Sequence, residues 1–194
     1  ASPAVCDSFF IALAGMVDSL MVSSMGASAV AAVGLTTQPK FMGLALFFAM
    51  NVSVSALVAR RRGEKNQRSA NQILLVAILF VIVATVVISS ACVMWANEII
   101  NFCGSAPETH EPAVIYYRII MGCMIFNVLS MVINAAQRGS GNTMIAMRTN
   151  IVSNVVNIIA NYLLIQGHLG FPALGIAGAA IATVFGTVIA CIMS

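Results

Sequence analysis

The stretch ILLVAILFVIVATVVISSACVMW, from Ile73 to Trp95, contains no charged residue over 23 positions. A helix needs about 20 mostly apolar residues to cross the hydrocarbon core of a bilayer. The rest of the chain has the same character, because 60% of its 194 residues are hydrophobic and only 8% are charged, against about 25% charged in soluble domains. The sequence therefore predicts an integral membrane protein.

Five further apolar segments have spanning length, and they are apolar on nearly every face and too long for membrane strands. We expect an all-α fold in which residues 1–194 form a single lobe of six transmembrane helices. The predicted spans lie near residues 5–25, 40–60, 70–95, 113–137, 146–166 and 172–194.

The basic residues predict the orientation of these spans, because cytoplasmic loops are enriched in Lys and Arg. Seven of the nine basic residues fall between spans two and three or between spans four and five: Arg60, Arg61, Arg62, Lys65, Arg68, Arg138 and Arg148. Lys40 and Arg118 fall in or near the opposite links, where Arg118 resembles an interface anchor. We therefore expect both termini of this segment to be cytoplasmic, with the chain integral to the plasma membrane.

The sequence contains none of the common motifs of enzyme active sites. The five cysteines show no metal-ligand spacing, and four of them fall in or beside spans, where they suit packing. The chain has no Gly-rich phosphate loop, no zinc-binding His pair and no nucleophile elbow. We expect no enzymatic activity and no cofactor other than a transported ion.

Asp18 is the only charged residue between Ser8 and Pro39, a run of thirty-two positions. A carboxylate at bilayer depth costs roughly 2.5 to 3.5 kcal/mol on insertion scales, so such residues usually have a function. Asp18 is therefore the first candidate site residue.

The fifth span carries four asparagines at spacings of four, three and four, which place them on one helix face: Asn150, Asn154, Asn157 and Asn161. Such amides serve either as interhelical hydrogen bonds or as a polar pocket. Asn157 and Asn161 are the deeper pair, and they are the candidate neighbours that a buried Asp18 requires.

The sixth span repeats small residues every four positions, as in Gly175, Ala179 and Thr183, a pattern that lets helix backbones approach closely. The Thr183 hydroxyl either bonds the carbonyl four residues earlier or serves as a ligand. Three further intramembrane amides, Asn51, Asn127 and Asn134, are candidates for interhelical bonds or, less strongly, for the substrate cavity.

Several motifs in order along the chain are similar to the amino-terminal half of transporters of the multidrug and toxic compound extrusion (MATE) family. Pro3 stands fifteen residues before Asp18, as in the family's first helix. The other motifs are VDSLMV at 17–22, AAVGL at 31–35, ALVARRRG at 56–63, QRGSGNT at 137–143, NIIANYLLI at 157–165 and LGIAGAAIAT at 174–183. Together they cover nearly all of the chain.

The resemblance implies one lobe of a twelve-helix, two-lobe exporter with a central cavity of alternating access, so that a carboxy-terminal lobe would be its partner. Family members export cationic or amphipathic drugs in exchange for protons or sodium ions. The ion-coupling residues implied here are Asp18, Asn157, Asn161, Thr183 and the backbone of Ala179, with a candidate sodium site at the first three. Several members have Asp where this chain has Asn161, so a two-carboxylate proton relay is not available.

Two other functions remain open from the sequence. One is a flippase for lipid-linked oligosaccharides of the same superfamily, although such cavities tend to contain several basic residues and this chain has no clearly buried cation. The other is a non-transporting membrane assembly protein that dimerises through the small residues from Gly175 to Gly186.

Overall fold

The computed structural model describes the backbone of residues 2–167 and 173–194, and their side chains except those of 2–8, 11 and 166. These described residues form eight helices and no strand, which confirms the predicted all-α fold. His168 and the side chains of Pro3, Cys6 and Asp7 lie outside the described part. The helices are α1 Ser2–Ser23, α2 Ala27–Gly63, α3 Gln67–Met94, α4 Ala96–Phe102, α5 Pro107–Gly122, α6 Met124–Gly139, α7 Thr143–Gln166 and α8 Gly175–Met193.

Among the described residues, α2, α3 and α8 are long and apolar enough to cross a membrane, and the bent pair α5 and α6 makes a fourth such segment if it is one span. In α1, residues Ala12–Ser23 form a shorter apolar helix. Helix α7 has spanning length at 24 residues, but its asparagines lower its hydropathy.

Helix α2 begins at Ala27 rather than near residue 40, and it continues for 37 residues. Gly26 makes the turn after α1 with a φ of 108°, a conformation that glycine adopts without strain. Pro39 lies inside the helix and is buried, as membrane helices tolerate. Lys40 therefore lies within a helix, and its predicted position in a link is wrong.

The predicted span at 113–137 contains a break, because this segment consists of α5 and α6 with a bend of 48° between them. Cys123 occupies the break with non-helical backbone angles. The Ser89 hydroxyl of α3 donates a hydrogen bond of 2.7 Å to the carbonyl of Met121. Since a kink releases backbone groups that need new partners, this bond stabilises the bend.

Two apolar clusters hold the helices together. The larger cluster packs α2, α3, α5 and α6 around Phe47, Val81, Tyr117 and Val128. The smaller one joins α1, α2, α5, α7 and α8, and its members are Val22, Ala29, Tyr116, Ile165, Ala179 and Ala180. Because Tyr116 and Tyr117 are neighbours on α5, this helix belongs to both clusters.

Helices α7 and α8 approach closely along the small residues of α8. A Cβ added at Gly178 would lie 2.5 Å from the carbonyl oxygen of Leu164, and one at Gly186 would lie 2.9 Å from that of Ser153. The Ser153 hydroxyl also donates to the Gly186 carbonyl at 2.7 Å. The small-residue repeat of the sixth span therefore packs against α7.

The basic end of α2 is exposed. Glu64 accepts hydrogen bonds from Arg61 at 2.8 Å and Arg60 at 3.2 Å, and these guanidinium groups hold the pKa of the Glu64 carboxyl below its usual value. Exposed pairs of this kind contribute little to stability. The cluster is therefore consistent with the predicted role of these basic residues, which is to orient the spans in the membrane.

The contact of α7 with α8 predicts that Gly178→Ala destabilises the protein by about 1 to 3 kcal/mol, since the new methyl group overlaps backbone. Gly34→Ala is the matched control, because a Cβ there meets nothing within 4 Å. Thermal unfolding of the purified variants measures the difference. Equal melting temperatures for the two variants would contradict the packing.

Candidate functional site

Asp18 lies on α1, where α1 packs against α7, and its side chain is half-buried. The Nδ2 of Asn161, on α7, donates a hydrogen bond to Asp18 Oδ1. Asn161 is only 1% exposed. The predicted neighbour of the buried carboxylate is therefore in contact with it.

The hydrogen bonds continue from Asn161 across α7 to α8. Asn161 Nδ2 also donates to Asn157 Oδ1 at 3.3 Å, and Asn157 Nδ2 donates to the Thr183 hydroxyl at 3.4 Å. Thr183 in turn donates to the carbonyl of Ala179 at 3.0 Å. The five residues that the sequence singled out thus form one chain of hydrogen bonds, which we call the Asp18 network.

The Asn157 amide fits the network in a second orientation as well, because amide oxygen and nitrogen exchange places without moving other atoms. In that orientation its nitrogen donates to Asp18 Oδ1 at 3.2 Å, and its oxygen accepts from the backbone N–H of Thr183 at 3.2 Å. Both orientations keep Asn157 between Asp18 and Thr183. The second gives the carboxylate two amide donors.

Oxygen atoms are abundant in the Asp18 network, which contains a carboxylate, two amide oxygens, a hydroxyl and a carbonyl. The Oδ1 of Asn161 is buried and has no hydrogen-bond partner among the described residues. A buried polar atom without a partner costs about 1 to 3 kcal/mol. Since hard cations prefer oxygen ligands, this atom is suited to bind a cation or to accept a hydrogen bond from a protonated group.

The remaining asparagines lie elsewhere in the fold. Asn150 and Asn154 lie closer to the start of α7, and Asn154 Nδ2 is buried with no hydrogen-bond partner in the described part of the chain. Asn51 accepts a hydrogen bond of 3.1 Å from Arg138, which joins α2 to α6.

The weaker cavity candidates on α6 are Asn134 and Asn127. Asn134 donates to Ser130 at 3.3 Å and accepts from Ser194 at 3.4 Å, while Asn127 is half-buried. The hydrogen bond of Asn51 joins two helices, and the bond of Asn134 to Ser130 lies within α6. Both therefore have a structural role.

Two residues near Asp18 were missed from the sequence. Lys40 of α2 and Tyr116 of α5 both lie close enough to Asp18 for its charge to influence their ionisation, and Tyr116 is only 7% exposed. The apolar run from Ala27 to Val33 could have indicated that the second helix begins before Lys40 and therefore contains it. Tyr116 gave no signal, since its place in the smaller cluster depends on how α5 packs against α1, α7 and α8.

Comparison with known proteins identifies related sequences. The family model described as MatE matches residues 3–163. The chain is 32% identical over 166 residues to the probable multidrug resistance protein NorM of Rhizobium meliloti, covering 85% of this chain and 35% of that protein. It is 26% identical over 175 residues to the uncharacterized transporter YisQ of Bacillus subtilis, covering 90% of this chain and 38% of that protein.

Solved structures share the fold. The chain superposes on the outward-facing conformation of a multidrug resistance MATE family transporter of the MOP superfamily with a TM-score of 0.89 at 27% identity, covering 98% of this chain and 41% of that one. A MOP superfamily transporter from Pyrococcus furiosus gives the same TM-score, identity and coverage. The chain thus spans about two fifths of the length of the proteins it matches.

The Asp18 network predicts that Asn161→Leu destabilises the protein by about 1 to 3 kcal/mol, because it removes the Asn161 amide donor from the half-buried Asp18 carboxylate. Asn154→Leu is the matched control on the same helix face, since its amide nitrogen has no described partner to lose. Thermal unfolding of both variants measures the effect. A smaller loss for Asn161→Leu than for Asn154→Leu would refute this role of Asn161.

Proposed function

Since this chain belongs to the MatE family, we propose that it forms the amino-terminal, six-span lobe of a secondary active exporter. The exporter would remove cationic or amphipathic drugs in exchange for protons or sodium ions. The relatives named for multidrug resistance support this substrate class. Their greater length agrees with a second lobe that would complete the central cavity.

The single observation that supports ion coupling best is the Asp18 network. Its one carboxylate is half-buried and is held by a fully buried amide. Burial disfavours the charged form of a carboxylate, while a nearby cation favours it. Asp18 is therefore suited to hold a proton in one step of a cycle and a cation in another.

The oxygen atoms around Asp18 offer two ways to bind the coupling ion. A proton would bind the carboxylate itself. A sodium ion would bind Asp18, Asn157 and Asn161, where the Oδ1 of Asn161, which no described residue contacts by a hydrogen bond, would supply a ligand. Thr183 and the Ala179 carbonyl would extend either site to α8.

Ion binding at this network acts on three helices, because the hydrogen bonds connect α1, α7 and α8. A ligand shifts a conformational equilibrium only when it binds one state more tightly than the other. We infer that ion entry changes the contacts of α1 with α7 and thereby favours the state that releases substrate. With Asn at position 161, one carboxylate performs this exchange.

The orientation of the lobe follows from its basic residues. The clusters at Arg60–Arg62 and at Arg138 and Arg148 would face the cytoplasm, because cytoplasmic loops are enriched in Lys and Arg. Both termini of this segment would then lie on the cytoplasmic side of the plasma membrane.

We predict that Asp18→Asn in the full-length protein reduces ion-driven dye export to the level of empty liposomes, since the amide holds neither a proton nor a cation's countercharge. Glu64→Gln is the control, because it removes a carboxylate that is exposed at the end of α2. Efflux from proteoliposomes, with a proton gradient and a sodium gradient applied separately, measures the effect and identifies the ion. Undiminished export by Asp18→Asn would exclude the proposed coupling.

A further inference from the structure

A cavity of about 530 Å³ lies at the basic end of α2, and no residue of the Asp18 network lines it. Its walls come from the end of α2, the start of α3 and the end of α6. Among the described residues that line it, Arg62 and Lys65 are the charged ones, and Gln67, Asn71 and Gln137 carry amides. The proposed transport function gives this cavity no role.

The cavity has depth because α6 ends at a lower level than α2. Gly139, the last residue of α6, packs against the carbonyl of Ser55, and α2 continues for eight residues beyond Ser55, to Gly63. At 1.5 Å per residue this extension measures about 12 Å. A headgroup layer is about 5 to 8 Å thick, so the cavity is deep enough for a lipid headgroup and the first carbons of its acyl chains.

The two cations of the cavity have no acidic partner in the described part of the chain. Glu64 pairs with Arg60 and Arg61, and no ion pair between described residues within 4 Å includes Arg62 or Lys65. Both of these side chains are exposed. Like charges on one wall repel each other, and an anion between them converts this repulsion into attraction. The cavity is therefore suited to an anionic ligand.

Lys65 has a backbone conformation that favours glycine. Its φ of 55° makes it the one described non-glycine residue with a positive φ. It ends α2 in a Schellman motif, in which its N–H bonds the Arg62 carbonyl at 2.9 Å and the N–H of Asn66 bonds the Arg61 carbonyl at 3.0 Å. Glycine would adopt this conformation without strain. A lysine here lowers the stability of the turn and adds a charge to the cavity.

The inner part of the cavity is apolar. Val58 lies one turn before Arg62, and Leu74 lies two turns into α3, where both line the cavity with Ile133 and Ala136 of α6. Leu75, next to Leu74, is 61% exposed, so the apolar surface continues along the outside of α3. Cations above an apolar wall match a phospholipid, which has its phosphate above its acyl chains.

We propose that this cavity binds an anionic phospholipid of the cytoplasmic leaflet, with the phosphate between Arg62 and Lys65. Basic pockets between transmembrane helices on this side of a membrane bind anionic headgroups. The Oε1 of Gln137 is buried and has no hydrogen-bond partner among the described residues, so it accepts a bond from a headgroup hydroxyl such as that of phosphatidylglycerol. The two cations repel the ammonium of a zwitterionic headgroup. This inference rests on the proposed orientation of the lobe and is independent of the transport function.

The test measures lipid binding to the purified full-length protein by native mass spectrometry. Dioleoyl phosphatidylglycerol and dioleoyl phosphatidylcholine are titrated separately, and the dissociation constant of the first bound lipid is compared. Lys65→Gly and Arg62→Gln are each expected to weaken phosphatidylglycerol binding about fivefold, the effect of one cation near an anionic surface. Phosphatidylcholine binding is expected to stay unchanged.

The matched control is Arg68→Gln. Arg68 is an exposed cation of the same link, but it does not line the cavity, so phosphatidylglycerol binding is expected to stay at the wild-type value. Without added lipid, Lys65→Gly is expected to melt at the wild-type temperature or above it, because glycine relieves the strain of the turn. Glycerol phosphate, the soluble headgroup, is expected not to displace the lipid, since it lacks acyl chains for the apolar wall.

Equal weakening by Lys65→Gly and Arg68→Gln would show a general attraction of the basic link to anionic lipid and would overturn the site. Equal affinity of the wild type for the two lipids also overturns it, as does a lower melting temperature of lipid-free Lys65→Gly. Displacement by glycerol phosphate would make the cavity a site for a soluble phosphate and would refute the lipid assignment. None of these outcomes depends on dye export, so the exporter function stands or falls separately.

Discussion

The packing of α1 against α7 at the candidate site depends on the hydrogen bond between the Asp18 carboxylate and the Asn161 amide. A buried carboxylate must be satisfied by donors, and the lipid around a membrane helix supplies none. Asn161 supplies the donor from α7, and Asn157 and Thr183 extend the contact to α8. This hydrogen bond therefore selects the face of α1 that meets α7, because the apolar residues of α1 do not concentrate on one face.

The rest of the fold is held mainly by apolar packing, and α5 connects the two parts. Tyr117 is buried in the large cluster of α2, α3 and α6, while Tyr116 belongs to the cluster beside Asp18. Both tyrosines lie on α5 before the bend that Ser89 stabilises after Gly122. A rearrangement around Asp18 therefore has a direct contact path to the core, which agrees with the proposed transport function.

The charges near the site give it a mixed polarity. Asp18 carries the carboxylate of the network, and Asn161 stands where several family members have a second acid. Lys40 of α2 is close enough to influence the ionisation of Asp18, so charges of both signs act on this carboxylate.

Hydropathy and helical spacing are local properties of the chain, and they predicted the membrane class, the all-α fold and the candidates Asp18, Asn157 and Asn161. Thr183 and the backbone of Ala179 joined this set through the family resemblance. Asn157 and Asn161 share a face at any depth, and an isolated Asp18 required such partners. Three features are visible only in the tertiary structure. Helix α2 contains both Pro39 and Lys40, the fourth predicted span bends at Cys123, and Asn51 accepts a hydrogen bond from Arg138. These features depend on contacts between helices distant in sequence, such as Ser89 with Met121, and no local pattern encodes them.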